Sequence, residues 1–337
     1  MTTGITALQK IQIGVEGTAG ATTDQPTTVF VGNGGMLKDN RQVKFPEQKV
    51  GVLGPTTRSY VPVTGGEITL TGEATFEQLA YILNAGLYYA TPTTDTGSGY
   101  IRTWNMQCVS TDPIVSTDLS TLVIEGGDNT EVEEAHYGFV TDYTLAGKQG
   151  EAMTLSAHVQ TRAPATDAGF TSVATPTVEE ILFSQSYLYI DPSSDTPGTT
   201  AKSETLIDVS LAVTTGWKAI AAKDNRLDFS NIKNTGGSAK LDITFEHNAS
   251  AIAEKTAWRA QSERVVRLKL VGSALTSAGA YTYKTLIVDL YGKWESFDAL
   301  GDQDGDTVCK GSFTVAYSAV AAKKMTTILV NELVTLP

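Results

Sequence analysis

The sequence predicts a mainly β protein built from one duplicated unit that carries a single α-helix. Three observations support this. Thr, Val and Gly are abundant and helical periodicity is rare, while a hydrophobic content of 41% suffices for real cores. Apolar and polar residues alternate in run after run, the period of half-buried strands. One order of elements, with a double glycine ahead of a strand and a helix, also occurs twice along the 337 residues.

Residues 1–28 read as an arm. Ile11 and Ile13 fall in a short strand pattern, and the Gly/Thr-rich run after them cannot build its own core. Val29–Val31 and Val43–Phe45 are strand candidates. Between them Gly32, Gly34 and Gly35 mark a turn, because Leu37 stands where a dinucleotide fingerprint needs its third glycine. Residues 46–64, with Pro46, Pro55 and Pro62, form a long loop of the kind that is usually functional.

The stretch Gly65 to Leu87 is a strand, a tight connection and a helix. Ile68 and Leu70 alternate with Thr69 and Thr71, and Thr75 with Gln78 makes a capping box. Phe76, Leu79, Ala80 and Leu83 share one helix face, and Gly86 is placed to end the helix in the left-handed conformation. Ile101–Val109 and Thr121–Glu125 are strands. A hairpin follows: Tyr137, Phe139, Tyr143 and Leu145 face one way and His136, Asp142 and Thr144 the other, with Met153 to Gln160 as the returning strand. Residues 162–180 lack any period and mark a boundary. Ile181–Ile190 and Thr205–Val213 are strands around a polar loop.

The second half then repeats the first. Lys223 to Arg226 matches Lys38 to Arg41, and Gly236-Gly237 matches Gly65-Gly66. Leu241, Ile243 and Phe245 form the next alternating strand. A helix runs from about Ser250 to Gln261, with Ile252, Ala253, Thr256, Ala257 and Ala260 on one face. Tyr291-Gly292 and Leu300-Gly301 mirror Tyr137-Gly138 and Ala146-Gly147 at equal spacing. The first copy is longer at 46–62 and around 91–118. Residues 319–337 close the chain as a last strand or as an arm onto a neighbour.

A net charge of −12 argues against wrapping duplex DNA, whose binding relies on cations that neutralise phosphates. The opening MTTGITALQK has no apolar signal core, and no apolar run reaches the ~20 residues of a membrane helix. Cys108 and Cys309 lie in no metal spacing; free thiols or a disulfide both fit. His136, His158 and His247 read as surface histidines rather than a metal set. Asp302, Asp304 and Asp306 around Gly305 read as a solvated turn, since the glycine is misplaced for an EF-hand. Glu131, Glu133 and Glu134 form an acidic run entering a strand. No GxSxG, CxxC, HExxH or Walker motif occurs, so no enzyme, cofactor or metal is expected.

The phrases KIQIGVEGTAG (10–20), LGPTTRSYVP (53–62), TFEQLAYILNAGL (75–87) and LIDVSLAVTTGWK (206–218) resemble those of tail tube proteins, the major tail proteins of long-tailed, siphovirus-type bacteriophages. The likeness covers both halves. It implies two tandem tail-tube-type β-sandwich domains, each with one flanking helix. These would span 1–165, with an N-terminal arm, and 166–337, with a C-terminal arm. It implies rings that stack into a tube through which DNA passes without sequence-specific binding. Most such chains carry one domain, so six domain positions filled by duplicated chains give a homotrimeric, pseudo-hexameric ring.

The implied partners are other copies of the chain, a tape measure protein and a tail terminator, with no membrane. The implied location is the virion tail after assembly in the host cytoplasm. On this reading Leu53, Tyr60 and Val61 are candidate contacts between stacked rings, and Asp142, Asp289 and Glu295 candidate lumen acids. The alternative is a virion-surface or extracellular two-domain β-sandwich that binds or decorates and stays a monomer.

Overall fold

Alternating sequence becomes strand almost throughout the computed structural model, which describes residues 3–51, 53, 58–88, 90–109, 111–115, 117, 119–222 and 225–336. Among the described residues the protein is mainly β, with two α-helices. The first half contains β1 (Lys10–Val15), β2 (Thr28–Val29), β3 (Lys38–Asp39), β4 (Gln42–Lys44), β5 (Tyr60–Val63), β6 (Gly66–Glu73) and α1 (Leu79–Gly86). It continues with β7 (Thr93–Thr94), β8 (Tyr100–Asn105), β9 (Leu122–Gly127), β10 (Val132–Lys148), β11 (Thr154–Thr161) and β12 (Ala165–Asp167). The second half contains β13 (Ser186–Pro192), β14 (Leu206–Thr214), β15 (Trp217–Ile220), β16 (Asn231–Asn234), β17 (Ser238–Glu246) and α2 (Ala249–Arg259). Then come β18 (Arg264–Ala274), β19 (Tyr283–Phe297), β20 (Gly301–Gln303), β21 (Asp306–Val315) and β22 (Met325–Asn331).

Two long strands, β10 and β19, organise both halves, because each changes partners midway. β10 pairs with β9 up to Gly138 and with β11 from Phe139 onward. β19 pairs with β18 up to Gly292 and with β21 from Gly292 onward. Both switches fall on a Tyr-Gly pair, and both glycines are required by close approach. A Cβ on Gly138 would lie 2.8 Å from the Leu122 carbonyl oxygen, and one on Gly292 would lie 2.1 Å from that of Thr314. In β10 the bend is sharpened by a register shift and by Tyr137, whose φ is +59°.

Around these strands the ladders repeat. β1–β9–β10–β11–β6 in the first half has the same connectivity as β13–β18–β19–β21–β17 in the second. A two-stranded hairpin precedes β6 and another precedes β17. The halves are also laced together. β14 adds to the free side of β10, and β8, from the longer first copy, pairs with β22. Apart from the two hairpins, which are separate two-stranded sheets, the strands belong to one hydrogen-bonded network, but among the described residues its ladders branch and none joins its ends into a closed cylinder. One apolar core, from Ile11 to Leu329, runs through both halves.

Several expectations need correction. Lys10–Val15 is no arm: it pairs with β2 and β9 and buries Ile11 and Ile13. Residues 46–64 are not all loop, since Tyr60–Val63 is a strand paired with Gln42–Lys44; the loop's Gly54 to Thr57 lie outside the described residues. Phe183–Gln185 is a 3-10 turn ahead of the strand expected from Ile181. Of the two readings of the closing segment the last strand is the one observed, over Met325–Asn331, buried between β19 and β8.

In α1 every residue is buried, because β8 covers the side that the sequence leaves polar: Trp104 Nε1 donates to Asn84 Oδ1 at 2.7 Å. Gly86 does not end α1 in the left-handed region. It lets the helix approach Val140 and Thr215, whose side chains would sit 3.2 and 3.1 Å from a Cβ. The buried face of α2 is Ala251, Glu254 and Ala257, whereas Ile252 is exposed. The four-letter match also fails as an anchor. Lys38–Arg41 leads from β3 into β4, while Asn225 and Arg226 lie in the turn between β15 and β16, and Lys223 and Asp224 lie outside the described residues.

Candidate functional site

The ladder β6–β11–β10–β14–β17–β21–β19 is one antiparallel sheet, with a dry face on the core and a wet face outside. Its register rows cross both halves. One row reads Thr71, Ser156, Thr144, Ala212, Lys240, Thr314 and Lys293. The row beside it reads Glu73, Thr154, Ala146, Ser210, Asp242, Ser312 and Ser296. Small hydroxyl and methyl side chains dominate, so the face is smooth and hydrated. It is also acidic. Glu67, Glu73, Asp142, Asp208, Asp242 and Glu295 stand against Lys148, Lys240, Lys293 and Lys310, and Lys240 lies 3.4 Å from Glu295.

The structure divides the three expected lumen acids. Asp142 and Glu295 lie on this face. Asp289 does not: it sits before the bend in β19, buried, with both oxygens held by Arg267 at 2.6 and 2.7 Å. Its charge is neutralised, and that pairing holds the Arg267 guanidinium above its usual range. Sequence reasoning missed Asp208 and Asp242, although both alternate with apolar neighbours in β14 and β17. The histidines stay apart, His136 beside Glu16 and Glu134, and His158 across from Asp142. Thr141 Oγ1 lies 3.0 Å from His158 Nδ1 and donates to Asp142 Oδ2 at 2.8 Å. The hydroxyl sits between base and acid, so these groups brace one another and do not form the base-centred relay that would activate a nucleophile. Asp304-Gly305 makes a tight exposed turn with both residues at positive φ. Cys108 and Cys309 are free thiols.

The junction between the halves combines a ladder with an apolar plug. Asp142–Lys148 pairs with Asp208–Thr214. Beside that ladder, the β15–β16 hairpin lays Trp217, Phe229 and Ile232 against Tyr137 and Phe139 at the bend of β10. The Tyr137 and Phe229 rings are 5.1 Å apart, and Arg162 stacks over Tyr137 while donating to the Phe229 and Ser230 carbonyls.

Each component of this junction has an unmated counterpart. In the repeat, Gly32–Lys38 stands where β14 stands. It is bonded to β6 on one side, through Gly35 N–H to the Thr69 carbonyl, and among the described residues no ladder pairs its other side. Lys293–Phe297 stands where the second half of β10 stands. Among the described residues no strand pairs its outer side, where Trp258 Nε1 donates to the Glu295 carbonyl. The β4–β5 hairpin stands where β15–β16 stands, yet Val43, Phe45, Tyr60 and Val63 are exposed, and Leu53 beyond them is fully so. Val61 is half-buried. At the bend of β19, Tyr291 is bonded to a loop that exposes Tyr317 and Val320. Such edges and patches are hazards in a lone chain and ordinary features of an interface.

No family model matches the chain, and no curated protein matches it.

Proposed function

We propose that this chain is the subunit of a self-assembling tube of the tail tube kind, polymerising as stacked rings into a conduit for DNA. The observation behind this reading is the junction between the halves, whose two sides recur unmated at opposite ends of the chain. A second copy fits there: its Gly32–Lys38 edge extends β19, and its β4–β5 hairpin covers the bend at Tyr291. The wet sheet face then lines the bore and the helices stay outside it. In this reading the chain is two sandwich units, 1–165 and 166–337. Leu53, Tyr60 and Val61 on the projecting hairpin and its loop reach the next ring. A tape measure protein and a tail terminator are the expected further partners, and the virion tail the expected location.

Size-exclusion chromatography with negative-stain imaging tests this. The wild-type chain should form rings or tubes. Phe45→Asp should give folded monomers, and deleting residues 47–57 should give rings that no longer stack. A wild-type chain that stays monomeric at high concentration would favour a decoration protein instead. Normal rings from Phe45→Asp would remove the lateral role of the hairpin.

A further inference from the structure

Away from the wet face, three carboxylates converge without matching cations. Glu125 on β9 and Glu134 on β10 are directly opposite, and Asp167 on β12 lies diagonally across from Glu134 on the same face. Their oxygens lie within 4.8 Å of one another, and Glu125 is fully buried. Like charges directly opposite destabilise a sheet, and a buried charge needs a partner.

The neighbouring cations are committed elsewhere or shared. His136 bonds Glu134 through Nε2, but its Nδ1 also faces the buried Glu16 at 3.4 Å. Lys10, on the same face, is held over the Phe170 ring at 4.1 Å. Arg162 serves the Gly20, Phe229 and Ser230 carbonyls and lies 3.9 Å from Asp228. One shared imidazole does not balance three acids.

A second observation is independent of the cluster. Gln12 on β1 is cross-strand from Glu125, so its side chain lies on the same face, about 5 Å away at Cβ. Gln12 is completely buried, and neither its amide oxygen nor its amide nitrogen has a hydrogen-bond partner. Orphaned amides of this kind are rare in a folded interior. Thr171 holds Glu125 in place, its Oγ1 donating at 2.5 Å and its N–H at 2.9 Å. A cleft of about 390 Å³, lined by Gln25, Glu134, His136 and Asp167 among others, leads in from solvent.

We propose that Glu125, Glu134, Asp167 and the Gln12 amide oxygen form a calcium site. The donors are all hard oxygens, which suits Ca²⁺ and not zinc, and Ca²⁺ tolerates an irregular shell of six to eight ligands. Water from the cleft completes it. His136 acts from behind, orienting Glu134. The ion would fasten β12, and the stretch that leads from it into the second half, onto the β9–β10 ladder. The ligands come from four strands scattered between residues 12 and 167, so no spacing motif betrays them.

The test uses the full chain stripped with a chelator, then titrated with CaCl₂ by calorimetry and followed by thermal melting. One ion should bind per chain and raise the melting midpoint. Glu134→Gln, which removes a like charge and should fold, and Asp167→Asn should each weaken binding more than about tenfold. Gln12→Leu should weaken it less. Asp304→Asn, in the exposed acidic turn, should leave it unchanged. No binding at millimolar calcium overturns the proposal. So does equal binding by wild type and Glu134→Gln, or its loss in Asp304→Asn.

Discussion

Gln78 shows how a single side chain can outreach its sequence context. Thr75 Oγ1 accepts from Gln78 N–H at 3.1 Å, as the capping box requires. The Gln78 amide does not turn back, however. Its oxygen accepts from Val31 N–H at 2.9 Å and its nitrogen donates to the Val29 carbonyl at 2.7 Å, pinning a strand end 47 residues away. Nothing local in the sequence indicates that partner. Glu179 acts similarly within a stretch read as a boundary. Its carboxylate accepts from Ser273 N–H and Oγ, both at 2.5 Å, and from Lys284 Nζ at 2.9 Å; Lys284 also bonds Glu77 at the start of the α1 region. Burial works against the Glu179 charge, but Ser273 and Lys284 outweigh it and hold the carboxyl below its ordinary value of 4.5. A depressed carboxyl stabilises the fold above that ordinary value, and the stabilisation is lost as pH falls through the lower, folded-state value. Glu179→Gln should therefore cost about 2 kcal/mol at neutral pH and flatten the loss of melting temperature below pH 4.5. An acid limb identical to that of the wild type would show that the clamp contributes nothing.

At the scale of elements, strands were legible and environments were not. Alternation located β6, β10, β11, β14 and β17 to within a few residues, because one face of each is dry. The helices were misread for opposite reasons. α1 is enclosed on all sides by strands that come from elsewhere in the chain. α2 turns Glu254 inward, where Lys202, Arg264 and Trp294 Nε1 meet it at 3.1 to 3.3 Å. A count of apolar positions cannot register a buried ion pair, so it chose the exposed face with Ile252. Asp289 failed in the same way, since its partner Arg267 arrives across the β18–β19 ladder. The wet face was half legible: Asp142 and Glu295 could be placed, but the continuous face they share exists only once β14 joins β10. Its acidity carries a consequence in the proposed tube. DNA bears one charge per ~1.7 Å of axis, so an acidic bore repels it within a Debye length of ~8–10 Å and lets it slide. Replacing Asp142, Asp208, Asp242 and Glu295 by lysine should leave tubes that assemble but retain double-stranded DNA at low salt and release it as salt rises. Variant tubes that bind DNA no better than wild type would count against an electrostatically repulsive bore.

At the scale of the whole molecule, the junction is heterologous: the outer side of β10 meets the outer side of β14, two different surfaces. Interfaces of that kind propagate, closing into a ring when the rotation permits and running into a filament when it does not. One such junction is consumed inside the chain, so in the proposed tube each chain would advance the assembly by two positions and present one open edge of each kind to its neighbours. The lacing by β14 on β10 and β8 on β22 fixes the halves relative to each other, and residues 168–182 are bonded along the way, Thr171 to Glu125 and Ile181 to Ala74. In the proposed tube the internal junction would thus be a rigid template for the external one. If the ring keeps the six positions usual for the resembled family, three chains fill it with threefold symmetry. Their joined wet sheets then form a cylinder with many more strands than the 16–18 that already leave an aqueous channel. In the proposed ring a duplication would also explain how β7 and β8 were added to one half alone: the two positions would no longer have to be identical. Native mass spectrometry of isolated rings, or the symmetry of tubes imaged by electron cryomicroscopy, counts the chains directly. Three chains, alternating a shorter-hairpin and a longer-hairpin position around the ring, is the expected result. Six chains per ring would mean that the two halves do not occupy equivalent positions, and that the internal junction is not the template for assembly.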